Sequence, residues 1–356
     1  MEFVYKRRKS KQIWVGDVPI GGDAPIVIQS MTNTATADAA ATVRQIQALA
    51  DAGCQLVRLT VPDNEAAEAL GKIIPASPVP LIADIHFDYR LALAALEQGI
   101  SALRINPGNI GGAENVRAVA KAAAERGVPI RIGVNSGSLS KEILAKHGGV
   151  TADALVESAL EEISLLEAEN FTNIKISLKA SNVPLMLEAY RKLAARCDYP
   201  FHIGVTEAGT PKRGSIKSAV GIGALLAEGL GDTLRVSLSG DPVEEVFVAK
   251  EILRSLGLYS KGVEYIVCPT CGRTKIDLPA IAAEIEERVE ALHIEKPLKL
   301  AVMGCVVNGP GEAREADFGL AGGDGVGVLF AAGEIVGKYP ADKLVDEFMK
   351  LLQANI

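Results

Sequence analysis

From Pro25 to about Gly257 the chain repeats one pattern: a short apolar segment, a polar turn, then an Ala/Leu-rich run with helical spacing. Such units with short connections mark a parallel α/β fold. Eight are legible, with strands expected at 26–30, 56–60, 81–85, 102–105, 130–134, 173–178, 201–205 and 234–238, and helices such as 113–126 and 152–168 between them. Eight units in roughly 230 residues is the size of a TIM (β/α)8 barrel, with an open doubly wound sheet as the alternative. Before them, segments 12–15 and 18–20 flank Gly16-Asp17 and predict a hairpin that plugs one end of the barrel.

Within the strands the apolar and polar residues alternate with period two. Val57-Arg58-Leu59-Thr60, Leu103-Arg104-Ile105-Asn106 and Ile130-Arg131-Ile132-Gly133-Val134-Asn135 place apolar residues on one parity and polar ones on the other. Asp84 and His86, then Lys175, Ser177 and Lys179, then Arg235, Ser237 and Ser239 repeat the arrangement. Barrel strands turn their apolar parity to the outer helices, so the polar parity faces the axis. Most such barrels fill the axis with branched aliphatics. Cations there must pair with buried acids such as Asp84 and Glu207 or await an anion, and they outnumber the visible inward carboxylates. The loops 206–210 and 239–242 carry the small hydroxyl and glycine residues of a phosphate site. Glu207 lies off the parity of His202, Gly204 and Thr206 unless the strand has already turned.

Near Gly257 the pattern changes. Residues 1–257 are read as the barrel, 258–263 as a linker and 264–356 as a small α+β domain with strands at 265–267, 298–302 and 325–330 and helices at 278–292 and 341–353. The glycines of 320–327 precede a strand and do not open a helix, so they read as a turn and not as a dinucleotide fingerprint.

The chain has 356 residues, 48% hydrophobic and 23% charged, with a net charge of −7. That balance argues against nucleic acid or an anionic membrane as a partner, so cations that matter are concentrated in a site. The start carries Lys6, Arg7, Arg8 and Lys9 with no apolar core of a signal peptide, and no long apolar run follows, which predicts a cytoplasmic location. Five cysteines do not suggest a disulfide framework.

Three of those cysteines stand in two short stretches, Cys268-Pro269-Thr270-Cys271-Gly272-Arg273-Thr274 and Met303-Gly304-Cys305-Val306-Val307-Asn308-Gly309-Pro310-Gly311-Glu312. A Cys-x-x-Cys pair and a third thiolate from a glycine-rich turn can meet at one metal, leaving zinc and an iron–sulfur cluster open. His293 ends a helical run and reads as a helix-terminal residue rather than a ligand. Cys54 and Cys197 read as small core residues. No Cys-x-x-x-Cys-x-x-Cys is present, which argues against radical S-adenosylmethionine chemistry.

Both stretches closely resemble the 4-hydroxy-3-methylbut-2-enyl diphosphate synthase (IspG/GcpE) family, and the resemblance extends over the whole chain. It implies a TIM barrel followed by a ferredoxin- or sulfite-reductase-like domain with a [4Fe–4S] cluster, held by Cys268, Cys271, Cys305 and Glu312. The implied reaction converts 2-C-methyl-D-erythritol 2,4-cyclodiphosphate into (E)-4-hydroxy-3-methylbut-2-enyl diphosphate on the methylerythritol phosphate route to isoprenoids. Carried over by position, Arg58, Arg104, Arg131, Asn135, Lys179, Arg235 and Ser237 would bind the diphosphate. Asp84, His86, Glu207 and Asn308 would join Glu312 as the catalytic set, with Glu207 assisting departure of the hydroxyl. The resemblance further implies a homodimer, with ferredoxin or flavodoxin as electron donor. The competing readings are a zinc-thiolate transferase on a TIM barrel and a non-catalytic iron–sulfur electron carrier.

Overall fold

A computed structural model describes residues 6–305, 311 and 313–356, so Asn308 and Glu312 lie outside the described residues. The chain divides into two compact units, Met1–Leu258 and Tyr259–Ile356.

The first unit opens with the antiparallel hairpin β1 (Ile13–Val15) and β2 (Val18–Ile20), paired Ile13 to Ile20 and Val15 to Val18. Its apolar side chains Ile13, Val15 and Ile20 pack with Val27, Leu56, Ile82 and Ala102, which start the strands that follow. Burial of that cluster closes the N-terminal end of the barrel.

Eight parallel strands follow: β3 (Val27–Met31), β4 (Leu56–Thr60), β5 (Leu81–Asp84), β6 (Ala102–Ile105), β7 (Ile130–Asn135), β8 (Ile174–Lys179), β9 (His202–Ile203) and β10 (Thr233–Leu234). They lie in the order β8-β7-β6-β5-β4-β3-β10-β9, and a bridge between Ile176 and Phe201 joins the two ends into a nearly closed barrel. The intervening helices are α1 (Ala39–Asp51), α2 (Asn64–Ala76), α3 (Tyr89–Glu97), α4 (Ala113–Arg126), α5 (Lys141–His147), α6 (Ala152–Glu167), α7 (Val183–Ala194), α8 (Pro211–Ala227) and α9 (Pro242–Ser255). Asp38, Asp63, Asp88, Asn182 and Asp241 cap five of them by accepting a backbone N–H in the first turn. Each such cap is worth about 1 kcal/mol and fixes where a strand-to-helix loop ends.

The last two barrel strands are shorter than the apolar runs 201–205 and 234–238 suggested. Side chains and a close backbone approach replace the ladder there. Leu238 N donates to the carboxylate of Glu245 at 3.0 Å, and a β-carbon on Gly204 would lie 2.4 Å from the carbonyl oxygen of Arg235.

The second unit is a five-stranded sheet in sequence order: β11 (Val263–Val267), β12 (Leu298–Met303), β13 (Phe318–Ala321), β14 (Val326–Ala331) and β15 (Glu334–Pro340). The first three strands are parallel and the last two pairings antiparallel. Helices α10 (Leu278–Glu290) and α11 (Leu344–Gln353) bury Leu278, Ile285, Val289, Leu344, Phe348 and Leu352 against Leu300, Val302, Leu320 and Leu329. Burying each of these large side chains contributes about 1.5–3 kcal/mol.

Candidate functional site

Strand register sets the barrel axis. Arg104 stands level with Asp84 on one side and Arg131 on the other, and Arg131 is level with Lys175. Partners in a parallel ladder point to the same face, so these side chains share the interior with Arg58 and Lys179. All of them are buried.

Asp84 organises the first cations. Its Oδ1 accepts from Arg104 Nη1 at 3.1 Å, and its Oδ2 lies 3.6 Å from Arg58 Nε. Burial opposes ionisation of Asp84, but Arg58, a hydrogen bond from His86, Arg104 and Arg131 outweigh it and hold the carboxyl well below the usual range. Arg104 Nη2 also donates to Gly133 O at 2.9 Å, and Nη1 lies 2.9 Å from His86 Nε2. His86 itself is half exposed at the C-terminal mouth.

A second acid comes from outside the strands. Glu245 on α9 accepts from Arg235 through Nε and Nη2, both at 3.2 Å, and from Ser30 Oγ at 2.9 Å. Sequence alone did not single out Glu245, because Glu244-Glu245 in the first turn of a helix looks like ordinary dipole complementation. Arg58 Nη2 and Arg235 Nη1 both approach Met31 Sδ, at 2.8 and 3.3 Å, so β3 also positions the two arginines.

Asp84 and Glu245 leave a deficit. Among the described residues Arg131, Lys175 and Lys179 form no ion pair with a carboxylate, and Arg131 Nε and Nη1 and Lys175 Nζ are buried without any acceptor. Burial first, and neighbouring cations second, pull Lys175 down to about 7 and Lys179 well below its ordinary value. Arg131 is lowered in the same way, by burial and by Arg58 and Arg104. Arginine nevertheless remains charged, so the axis holds uncompensated positive charge. An anion with several oxygens satisfies that arrangement.

The remaining barrel residues of the expected set rim the mouth. Asn135 ends β7 and accepts Ser138 Oγ at its carbonyl, while Ser237 is half-buried beyond β10. Glu207 is exposed in the loop after β9 and has φ of 50°, as Phe87 beside His86 has 66°. Left-handed backbone at a bulky residue is sparse and gathers at functional loops. Glu207 therefore leaves the strand parity through a turn, and it does not neutralise the interior.

In the second unit, β11 and β12 run side by side with Val267 opposite Val302. Cys268 follows the first strand directly, its N–H donating to Val302 O at 3.1 Å, and Cys305 follows the second by two residues. Cys271 is exposed, its N–H donates to Thr274 Oγ1 at 3.2 Å, and Thr270 between the two cysteines has φ of 64°. A β-carbon on Gly304 would lie 2.9 Å from the same Thr274 Oγ1, so the two cysteine loops touch. Three soft thiols on two touching loops fit an iron–sulfur cluster by donor chemistry. Among the described residues no three His, Cys, Asp or Glu side chains form a converged ligand shell. His293 is exposed at the end of α10 and Cys54 is buried in the barrel wall.

Residues 10–250 match the GcpE TIM-barrel domain and residues 264–354 the GcpE protein C-terminal domain. The chain is 59% identical over 340 residues to a 4-hydroxy-3-methylbut-2-en-1-yl diphosphate synthase (flavodoxin) of Clostridium tetani, covering 96% of this chain and 97% of the other. A protein of the same description from Geobacter sulfurreducens is 61% identical over 350 residues, covering 97% and 99%. Among solved structures, a dihydropteroate synthase of Yersinia pestis superposes with a TM-score of 0.51 at 11% identity over 69% of this chain and 97% of that one, a likeness of barrel fold alone.

Proposed function

The chain belongs to the GcpE family, and from that premise we propose how its own residues carry the family's reaction. The protein is an oxidoreductase that opens 2-C-methyl-D-erythritol 2,4-cyclodiphosphate by two-electron reduction with loss of water, giving (E)-4-hydroxy-3-methylbut-2-enyl diphosphate for isoprenoid synthesis. The observation that carries the assignment of the site is the buried guanidinium of Arg131, whose Nε and Nη1 meet no acceptor among the described residues, on an axis it shares with Lys175 and Lys179. A cyclic diphosphate supplies the missing anion.

Arg58, Arg104, Arg131 and Lys179 bind the diphosphate, with Asn135, Arg235 and Ser237 at the rim. Guanidinium forks hold phosphate oxygens bidentately and stabilise the charge that grows on them as the ring C–O bond breaks. Asp84 and the Gly133 carbonyl fix Arg104 before substrate arrives, so no reorganisation is required of it. His86, whose Nε2 lies 2.9 Å from the same guanidinium, orients the substrate from the mouth. Glu207, exposed in the loop above, delivers a proton to the departing hydroxyl.

Cys268, Cys271 and Cys305 would hold the iron–sulfur cluster on which the family depends, read as a [4Fe–4S] centre, with Glu312 proposed as its fourth ligand and Asn308 proposed to orient the substrate. When bound, the cluster supplies the electrons for C–O cleavage. Flavodoxin is the donor named for the relatives, and ferredoxin is the alternative. A homodimer and a cytoplasmic location complete the reading. No helix among the described residues is long and apolar enough to cross a membrane.

The test is anaerobic turnover. Iron-loaded protein with reduced flavodoxin and the cyclic diphosphate should release the linear hydroxylated diphosphate, detected by mass spectrometry, with about four irons per chain. A colourless zinc protein would remove the cluster, and a loaded cluster that cycles electrons without forming product would leave only an electron carrier.

A further inference from the structure

Beneath the mouth of the barrel, beside Arg131, lies a layer of polar groups, Lys175, His202 and Gln29, that the reaction as described above does not use. Lys175 is 2% exposed and His202 0%. Among the described residues Lys175 Nζ and His202 Nε2 meet no hydrogen-bond partner, and the same holds for both ends of the Gln29 amide and for Nε and Nη1 of Arg131. His202 Nδ1 is satisfied by Thr233 Oγ1 at 2.8 Å. Under this layer sits the apolar cluster of Ile13, Val15, Ile20 and the strand starts.

The charged and titratable surroundings of Lys175 are one-sided. Arg131 from β7 and Arg58 from β4 repel its ammonium, and His202 from β9 and Lys179 on its own strand share the interior. Asp232, before β10, is the attractive group, but it is engaged by Arg7 Nη2 at 3.0 Å, Ser10 Oγ at 2.9 Å and Phe201 N at 2.8 Å. From α7 the hydroxyl of Tyr190 donates to the His202 carbonyl, and α6 turns apolar residues such as Leu155, Ala159 and Ile163 inward.

A buried ammonium with no acceptor and two guanidinium neighbours gives up its proton rather than stay charged. A diphosphate set against Arg131 and Lys179 reverses the local potential, and the ammonium then becomes the favoured form. We propose that the barrel interior is a proton-coupled anion site, in which Lys175 is neutral while the mouth is empty and takes one proton from solvent when a diphosphate settles there. Lys175 acts through its neighbour Arg131 and is a positioning residue. The inference rests on the reading of the mouth as the diphosphate site. Burial and Arg131 bring Lys175 to about 7, so at pH 8.5 the empty protein carries it mostly deprotonated. The sign follows: binding consumes protons, and affinity falls by up to about tenfold per pH unit above neutrality. Lys179 is lowered in the same sense, by burial first and by Arg131 next.

The experiment is isothermal titration of the iron-loaded full chain at pH 8.5, in buffers of different ionisation enthalpy, with the cyclic diphosphate and separately with sulfate. Neither ligand changes its own charge near that pH. Wild-type protein should take up close to one proton or more per ligand, and Lys175→Met should take up about one fewer and show a flatter dependence of Kd on pH. Bound ligand without uptake in the wild type overturns the inference, and so does unchanged uptake in Lys175→Met. Should that variant not fold, Lys175→Gln and the decline of wild-type uptake from pH 8.5 to pH 6 carry the same test. Uptake with sulfate but no binding of the cyclic diphosphate would overturn the substrate assignment and leave the coupling standing. Failure of both ligands to bind would overturn both.

Discussion

The guanidinium of Arg104 occupies the space that a side chain at Gly133 would need: a β-carbon there would lie 2.4 Å from Nε and 2.7 Å from Nη2. The adjacent strands β6 and β7 thus fix one arginine by covering it with a residue that has no side chain. Because Arg104 is also held by Asp84 and the Gly133 carbonyl, it cannot give way freely. Gly133→Ala should lower kcat/KM by about 100-fold through misplacement of Arg104, with iron content unchanged. Arg104→Ala should do at least as much, and wild-type turnover in either variant at low substrate concentration would sink the role given to Arg104.

Asp84→Asn should destabilise the first unit by roughly 3–5 kcal/mol, because Arg58 and Arg104 lose their shared carboxylate. The folded pKa of Asp84 is depressed, so its stabilisation is present above its ordinary pKa and is lost only as pH falls below it. Urea denaturation should therefore show a constant gap between wild type and variant from pH 5 to pH 9, closing only in acid. Sulfate or pyrophosphate should recover part of the loss by replacing the missing negative charge.

Glu162 on α6 behaves in the opposite sense. Burial pushes its carboxyl up to about 7, against the opposing pull of the Gly108 N–H and Arg104. A raised carboxyl costs stability as pH climbs from its unfolded value through 7. Glu162→Gln should be more stable than wild type at pH 8, on the order of 2 kcal/mol, and equal to it near pH 4. Thermal melts at the two pH values decide this, and an unchanged difference between them would refute it.

Cys305→Ser should lose iron while the barrel keeps its sulfate-binding heat. Glu207→Gln should keep iron and lose turnover by about 10²–10⁴-fold, the range for a removed proton donor. Iron assay and single-turnover product formation separate the two effects. Retained iron in the first variant would displace Cys305 from the ligand set.

The barrel was legible because its strands combine apolar runs with a strict period of two. Arg58, Arg104, Arg131 and Lys175 lie on the inward parity that this alternation indicates. Strand ends were less legible where the fold abandons the ladder for side chains, as at Leu238 with Glu245. Glu245 itself escaped notice since a helix position has no inward parity to reveal it, and its reach to Arg235 and Ser30 depends on how α9 packs on β3. In the second unit, β13 and β15 went unpredicted because Gly319 and Gly337 interrupt their apolar runs. The two cysteine stretches were conspicuous as words, yet the touch between Thr274 and Gly304 that brings their loops together has no sequence signature.

The hairpin of Ile13 to Ile20 makes the cylinder a blind well, sealed with hydrocarbon at its base. Whatever enters must leave by the same opening, and hydrogen ions bound deep inside are shut in once a ligand occupies the neck. Isotope exchange at the Lys175 ammonium in the occupied state should then be no faster than departure of the ligand, so residence time and proton retention become one clock.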